Sequence, residues 1–251
     1  MSTVNLINYT LHLADNALII GHRNSEWCGH GPVLEQDIAI SNIALDSIGQ
    51  ARNFYQYAAQ LSCNGATEDS LAYLRDTIDF KNCLLVELPN GDWAQTILRQ
   101  FFFSTYQYFL YQQLQNSSDL QLAAIAEKAL KEVTYHLRWS SEWVIRLGDG
   151  TEESKQRMEH ALNELWSYTG ELLQAASYEL LALSEGYGVD LSTIKINWEE
   201  KVRAVFEEAT LSLPENTWMQ SGGKEGKHSE HLGFILSEMQ FLQRAYPNSE
   251  W

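Results

Sequence analysis

Apolar residues recur at intervals of three and four along most of this chain, and that spacing predicts helices. Leu6, Tyr9, Leu13, Ala17 and Ile20 mark one face of a helix over residues 4–22. The stretch SEWCGHGP, 25–32, interrupts it with two glycines and a proline. A second helix, over 33–62, places Leu34, Ile38, Leu45, Ile48, Ala51, Tyr55 and Ala58 on its inner side. NGATED ends it and caps a short piece over 68–77. In ELPNGDW, 87–93, Pro89 and Gly91 make a turn, and Asp92 is placed to cap a third long helix over 92–115. Ser118 or Asp119 can cap the next, over 119–147. Further helices are predicted over 152–184, 198–209 and 228–245, the last two joined by the Gly-rich SGGKEGK. No segment alternates as a strand does.

Helices of this length without strands predict an all-α chain, and a bundle is their natural architecture. The pattern is read as a single domain over 1–251. Two helix pairs, 4–62 and 92–147, look alike. Asp46 sits on the second helix of the first pair and Glu132 on the second helix of the other, both inside apolar stripes and both expected to face inward.

Charge narrows the partners. Seventeen basic residues against 33 acidic give a net charge of −16 with His neutral. Such a surface argues against nonspecific nucleic-acid binding, which depends on neutralising phosphates. It also argues against an anionic membrane surface. No run approaches the roughly 18 apolar residues of a membrane span, and the opening residues lack the basic start of a secretory leader. Cys28, Cys63 and Cys83 form no CxxC pair and no disulfide framework. They read as free thiols in a reducing cytoplasm.

Asp46 in NIALDSIGQAR raises the question of a metal. Di-iron carboxylate bundles put a lone Glu on each of two helices and Glu-x-x-His on each of the other two. Iron of this kind prefers carboxylate oxygen completed by imidazole. Asp46 can stand for one carboxylate, but the position three residues on is Gly49, which has no side chain to coordinate. In KEVTYHLR, Glu132 is followed three residues later by Tyr135, and His136 is preceded by Val133, so the motif is half present in either alignment. The first helix offers Asp15. The third offers no acid in FFFSTYQY, 101–108. At least three of the six expected ligands are missing. The alternative for Asp46 is a buried structural carboxylate held by a cation such as Arg52 or Arg138, because an unpaired buried charge is costly.

Other constellations are weaker. His228, Glu230 and His231 lack the further ligands of a zinc site, which favours a capping or interface role. His160 and Glu164 are one turn apart and read as a solvated pair. GGKEGK lacks the P-loop spacing. As a cationic loop it offers, at most, a contact for an acyl-CoA phosphate. No G-x-S-x-G elbow occurs.

Four blocks of the chain, SEWCGHGPVLEQDIAISNIALDSIGQAR, LLVELPNGDWAQTILRQ, KEVTYHLR and GGKEGKHSEHLGFILSEMQFLQR, carry a resemblance over nearly its whole length, from about residue 4 to Trp251. They resemble the noncatalytic C-subunit family of bacterial phenylacetyl-CoA epoxidases, also called phenylacetate-CoA oxygenases. The resemblance implies a ferritin-like up-down four-helix bundle with additional C-terminal helices. It implies a homologous catalytic subunit that holds the di-iron centre and binds the thioester, and a reductase that supplies electrons from NADPH. It implies a supporting role in ring epoxidation of phenylacetyl-CoA, with no catalytic, cofactor-binding or metal residue here. Asp15, Asp46, Glu132 and His136 then stand at vestigial ligand positions. The readings left beside it are a stand-alone di-iron oxygenase or ferroxidase with atypical ligands, and an acyl-CoA-binding scaffold. The aromatic third helix, through whichever of Tyr106, Tyr108, Phe109 and Tyr111 do not face the core, is the expected surface for the partner or, without it, for self-association.

Overall fold

The computed structural model describes residues 3–215, 217–247 and 249; Trp251, where the resemblance ends, lies outside the described residues. In chain order the α-helices are α1 Thr3–Ser25, α2 Leu34–Ser62, α3 Glu68–Tyr73, α4 Leu84–Glu87, α5 Trp93–Leu114, α6 Leu120–Gly148, α7 Glu152–Leu165, α8 Ser177–Ser184, α9 Leu191–Glu208, α10 Glu230–Met239 and α11 Phe241–Ala245. No strand occurs among the described residues. The all-α class is as the periodicity predicts. The four long helices end within three residues of their predicted bounds. Their starts are chemically fixed. Asp92 Oδ1 accepts from Gln95 N at 3.1 Å to open α5. Asp119, rather than Ser118, opens α6 by accepting from Gln121 N at 3.0 Å and Leu122 N at 2.9 Å.

The chain divides into two compact units. One comprises the residues up to Pro89 together with those from Gly222 onward; the other comprises Asn90–Ser221. In the first unit α1 and α2 form a helical hairpin. α1 is buried almost all round. α2 faces it with Ile40, Ile43, Ser47, Gln50, Phe54 and Ala58. This corrects the predicted inner face of α2 in part: Ala51, Tyr55 and Ala58 are buried as predicted, but Leu34, Ile38, Leu45 and Ile48 are on the exposed side. The helix carries two apolar stripes, and periodicity alone does not say which one meets the core. The predicted terminal helix over 228–245 is broken into α10 and α11 at Gln240. The Gln240 side chain is buried there and donates to the carbonyls of Ala72 at 3.2 Å and Arg75 at 3.0 Å.

The second unit is built on the α5–α6 hairpin, with α7 and α9 packed on α5. Its core is aromatic. The Phe102 ring lies 5.8 Å from those of Trp166 and Trp198 and 6.0 Å from that of Phe206. Trp198 Nε1 donates to the Phe102 carbonyl at 3.0 Å. Tyr106 and Tyr111 are buried here, which leaves only the half-buried Tyr108 and Phe109 of the four for the expected partner surface. The predicted helix over 152–184 also divides. α7 stops at Leu165, where Trp166 turns in against Phe102 and Trp198. The predicted helix over 198–209 begins earlier, at Leu191, because Asp190 accepts from Ser192 N at 2.9 Å. Leu191, Ile194, Trp198, Val202 and Val205 continue the stripe.

Candidate functional site

The polar residues of α1 face inward and must find partners there. Asp15 is fully buried. Arg75 forms an ion pair with it and donates from Nη1 to Oδ2 at 3.1 Å. Tyr55 donates its hydroxyl to Oδ1 at 2.5 Å, and Lys81 N donates to Oδ2 at 2.8 Å. Both carboxylate oxygens are therefore engaged. The Arg75 guanidinium also lies 4.2 Å from the centre of the Phe80 ring. Burial opposes the Arg75 charge, but Asp15 and Tyr55 outweigh it and hold the guanidinium above its ordinary value. Burial, with Asp15 beside it, pushes the Tyr55 phenol well above its ordinary value.

A second buried cluster closes the same unit. Glu87, at the end of α4, is fully buried. One of its oxygens accepts from Ser229 N at 2.7 Å, the other from Asn82 Nδ2 at 2.8 Å and His228 Nδ1 at 2.8 Å. His228 Nε2 donates to the Phe80 carbonyl at 2.9 Å. With a carboxylate on one ring nitrogen and a carbonyl on the other, the doubly protonated ring satisfies both contacts, so the site favours an imidazolium. Burial pulls its pKa down, but Glu87 and the Phe80 carbonyl outweigh that and raise it. The glycines of GGKEGK serve this closure: a Cβ on Gly223 would stand 2.4 Å from the Asn82 carbonyl oxygen, and one on Gly226 (φ +81°) 2.4 Å from that of Ile78. Lys224 is buried, which removes it as a contact for a phosphate.

The four predicted ligand positions fare differently. Asp15 and Asp46 lie in the first unit, Glu132 and His136 in the second. Asp46 is half-exposed on α2, not buried, and Gly49 beside it is exposed. Of the two cations expected for Asp46, Arg52 lies 3.7 Å from Glu68, and Arg138, in the second unit, lies over the Tyr135 ring at 5.8 Å. His136 is fully buried and Glu132 half-buried. Glu132 is close enough for its charge to add to the burial that pushes the Tyr111 phenol up. On α5, Ser104 is fully buried and accepts from Gln100 Nε2 at 2.7 Å. Among the described residues no group of three or more His, Cys, Asp or Glu side chains could hold a metal ion. No described helix is long and apolar enough to cross a membrane. His160 and Glu164 are a solvated pair at 3.2 Å, as their spacing predicts.

A family model described as "Phenylacetic acid catabolic protein" matches residues 1–251. The chain belongs to this phenylacetic acid catabolic protein family. Within the family it is similar to the C subunit of the 1,2-phenylacetyl-CoA epoxidase of Escherichia coli (strain K12), with 50% identity over 246 residues that cover 98% of this chain and 99% of the relative. In this member of the family the buried acid of α1 serves a guanidinium and a backbone amide.

Sequence reasoning turns Tyr55 inward but does not reach its contact with Asp15, nor Arg75, Glu87 or the pairing of His228. The one signal it offers is negative. A buried acid demands a cation, and the chain has only 17 basic residues from which to draw one.

Proposed function

We propose that this chain is a structural, noncatalytic subunit of a multicomponent phenylacetyl-CoA epoxidase, in aerobic phenylacetate breakdown in the cytoplasm. Its partner is a homologous subunit that holds the di-iron centre, served by a reductase. The observation that carries this reading is the end-to-end similarity to an epoxidase subunit, and the chemistry of Asp15 supports the noncatalytic part. A di-iron centre needs carboxylate oxygens free to bind and bridge the metals. Asp15 has both oxygens engaged, one of the groups on them being a buried guanidinium. A metal ion there would have to displace Arg75 and face its charge. Gly49 supplies no imidazole and Ser104 no carboxylate at two further positions. These residues do not fit a pair of irons, and no chemical step is assigned to this chain. The reading of 1–251 as one ferritin-like domain belongs to the same proposal, as do the vestigial roles of Asp15, Asp46, Glu132 and His136.

Anaerobic reconstitution of the purified chain with ferrous iron tests the proposal. The expected result is no oxo-bridged absorption band after exposure to oxygen. Two tightly bound irons per chain with such a band would overturn it and restore a stand-alone oxygenase.

A further inference from the structure

The chain contains two Asn-Gly pairs, Asn64–Gly65 and Asn90–Gly91, and the fold treats them differently. Asparagine is among the chemically labile residues. The backbone nitrogen that follows it can close a five-membered ring on the side-chain carbonyl carbon, and glycine puts no Cβ in its way. Whether such a pair reacts depends on how the fold holds the amide and the main chain beside it.

Asn90–Gly91 is locked. The Asn90 side-chain oxygen accepts from Nη2 of Arg99, which is itself buried. The Asn90 carbonyl accepts from Thr96 Oγ1 at 3.0 Å. The space beside Gly91 is filled by Gln95, whose Oε1 a Cβ on that glycine would strike. Asp92 N fixes that Oε1 in turn, at 2.7 Å. The pair cannot rearrange without undoing the start of α5.

Asn64–Gly65 is open. Both residues are exposed, in the connection between α2 and α3. Gly65 has φ +82°, a backbone conformation that favours glycine, and a Cβ on it would meet nothing within 4 Å. Asn64 Oδ1 accepts from Ala66 N at 3.0 Å. That contact folds the side chain back over the following backbone. It also places a donor where negative charge gathers when the side-chain carbonyl is attacked.

We infer that Asn64 is a site of spontaneous deamidation, with water as the only co-reactant. The Gly65 nitrogen loses its proton to water or hydroxide and bonds to Cγ of Asn64. The Cγ–Nδ2 bond breaks, Nδ2 takes up a proton and leaves as ammonia, and a succinimide remains. Water then opens the ring. Cleavage of the new Cγ–N bond gives aspartate. Cleavage at the main-chain carbonyl gives isoaspartate, which routes the backbone through the side chain and lengthens it by a methylene. Nothing is oxidised or reduced.

The position gives the change its weight. Thr67 caps α3 by accepting from Ser70 N at 3.1 Å. The new carboxylate falls next to the acids already in the first turn of α3, Glu68 and Asp69. That helix leads into Arg75, the partner of Asp15. The modification therefore acts at the root of the segment that supplies the buried guanidinium. It is independent of the subunit role proposed above.

Incubation of the full chain in mildly alkaline buffer tests this. Samples taken over days are digested in acid, and peptide mass spectrometry reads each asparagine. Isoaspartate is read with isoaspartyl methyltransferase and labelled S-adenosylmethionine. In the folded chain Asn64 is expected to convert at least about tenfold faster than Asn90, a ratio that a small difference in activation free energy supplies. In urea, where the fold no longer separates the pairs, that ratio should collapse. Asn64→Gln should remove the isoaspartate signal of the folded chain. If Asn64 stays intact in the folded chain, or converts no faster there than Asn90, the assignment is wrong. If isoaspartate accumulates undiminished in Asn64→Gln, the reactive site lies elsewhere and the assignment falls.

Discussion

The two units solve the same packing problem with different emphasis. The second fills the space around its long hairpin with rings: Phe101, Phe102, Phe103, Trp198 and Phe206 are all buried. The first has buried rings of its own, such as Phe54 and Phe80, and adds buried ion pairs, Asp15 with Arg75 and Glu87 with His228. The second also buries Arg99, Glu171 and Glu179; Arg99 donates to Asn90, and Glu179 accepts from Ala176 N. Aromatic packing has preferred geometries but leaves no charge to be satisfied. A buried ion tolerates only its partner, because desolvation is offset by one specific contact. The lesson concerns how each unit responds to damage. A ring removed leaves a cavity and nothing more. A buried charge deprived of its partner leaves a group that the rest of the core cannot satisfy.

The largest effect expected from this contrast is at Arg75. Arg75→Met should destabilise by about 3–5 kcal/mol, because Asp15 is left charged and buried. Adding Asp15→Asn should recover part of that loss, since the stranded charge is gone. Phe102→Ala in the second unit should cost a similar amount, about 3–5 kcal/mol, but no second substitution of a single neighbour should restore it. Urea unfolding of the three variants, followed by tryptophan fluorescence and circular dichroism, measures both. Equal recovery in the two units would break the comparison.

The next effect is a dependence on pH carried by His228 in the first unit. His228 has its pKa raised in the fold, so the folded state holds this proton more tightly than the unfolded chain. The stability it contributes is therefore fully present below about pH 6.5, the ordinary histidine value, and is lost as pH rises through the raised folded value. Urea midpoints measured from pH 6 to 9 should fall with pH, and His228→Gln should flatten that part of the profile. A profile unchanged by the substitution would place the titrating group elsewhere.

The smallest effect has the opposite sign. Gly49→Ala should stabilise the isolated chain by about 0.5–1 kcal/mol, the helix-interior penalty of glycine. Thermal melts measure it. A loss of stability would mean that α2 needs glycine for its own sake.

Much of the fold is legible in the sequence because it depends on local repetition. α1, α2, α5 and α6 follow the spacing of their apolar residues, and Asp92 and Asp119 cap where such residues cap. What is not legible depends on distance along the chain. Asp15 stands out as a ligand position, but Arg75 is 60 residues away and no periodicity connects them. His228 invites a reading with its neighbours Glu230 and His231, whereas its partner Glu87 lies 141 residues earlier. The face of α2 misleads for a different reason. Two apolar stripes occupy one helix, and the rule that apolar residues face inward has no means of choosing between them. The division of 152–184 is hidden too, since the ring contacts of Trp166 override a local pattern that reads as continuous helix.

The closure of Glu87 by His228 has a consequence for the order in which the protein is made. The first unit is discontinuous: its opening residues, up to Pro89, are completed only by those from Gly222 onward. The second unit is one uninterrupted stretch between them. A ribosome adding about 5–20 residues per second therefore releases the whole sequence of the second unit before His228 exists. Through that interval Glu87 and Asn82 have no imidazolium, and the carbonyl of Phe80 has no donor from the chain's end. The helices synthesised first are the last to be sealed, and a chain truncated shortly before Gly222 holds a complete second unit beside a first unit whose buried acid lacks its counter-charge.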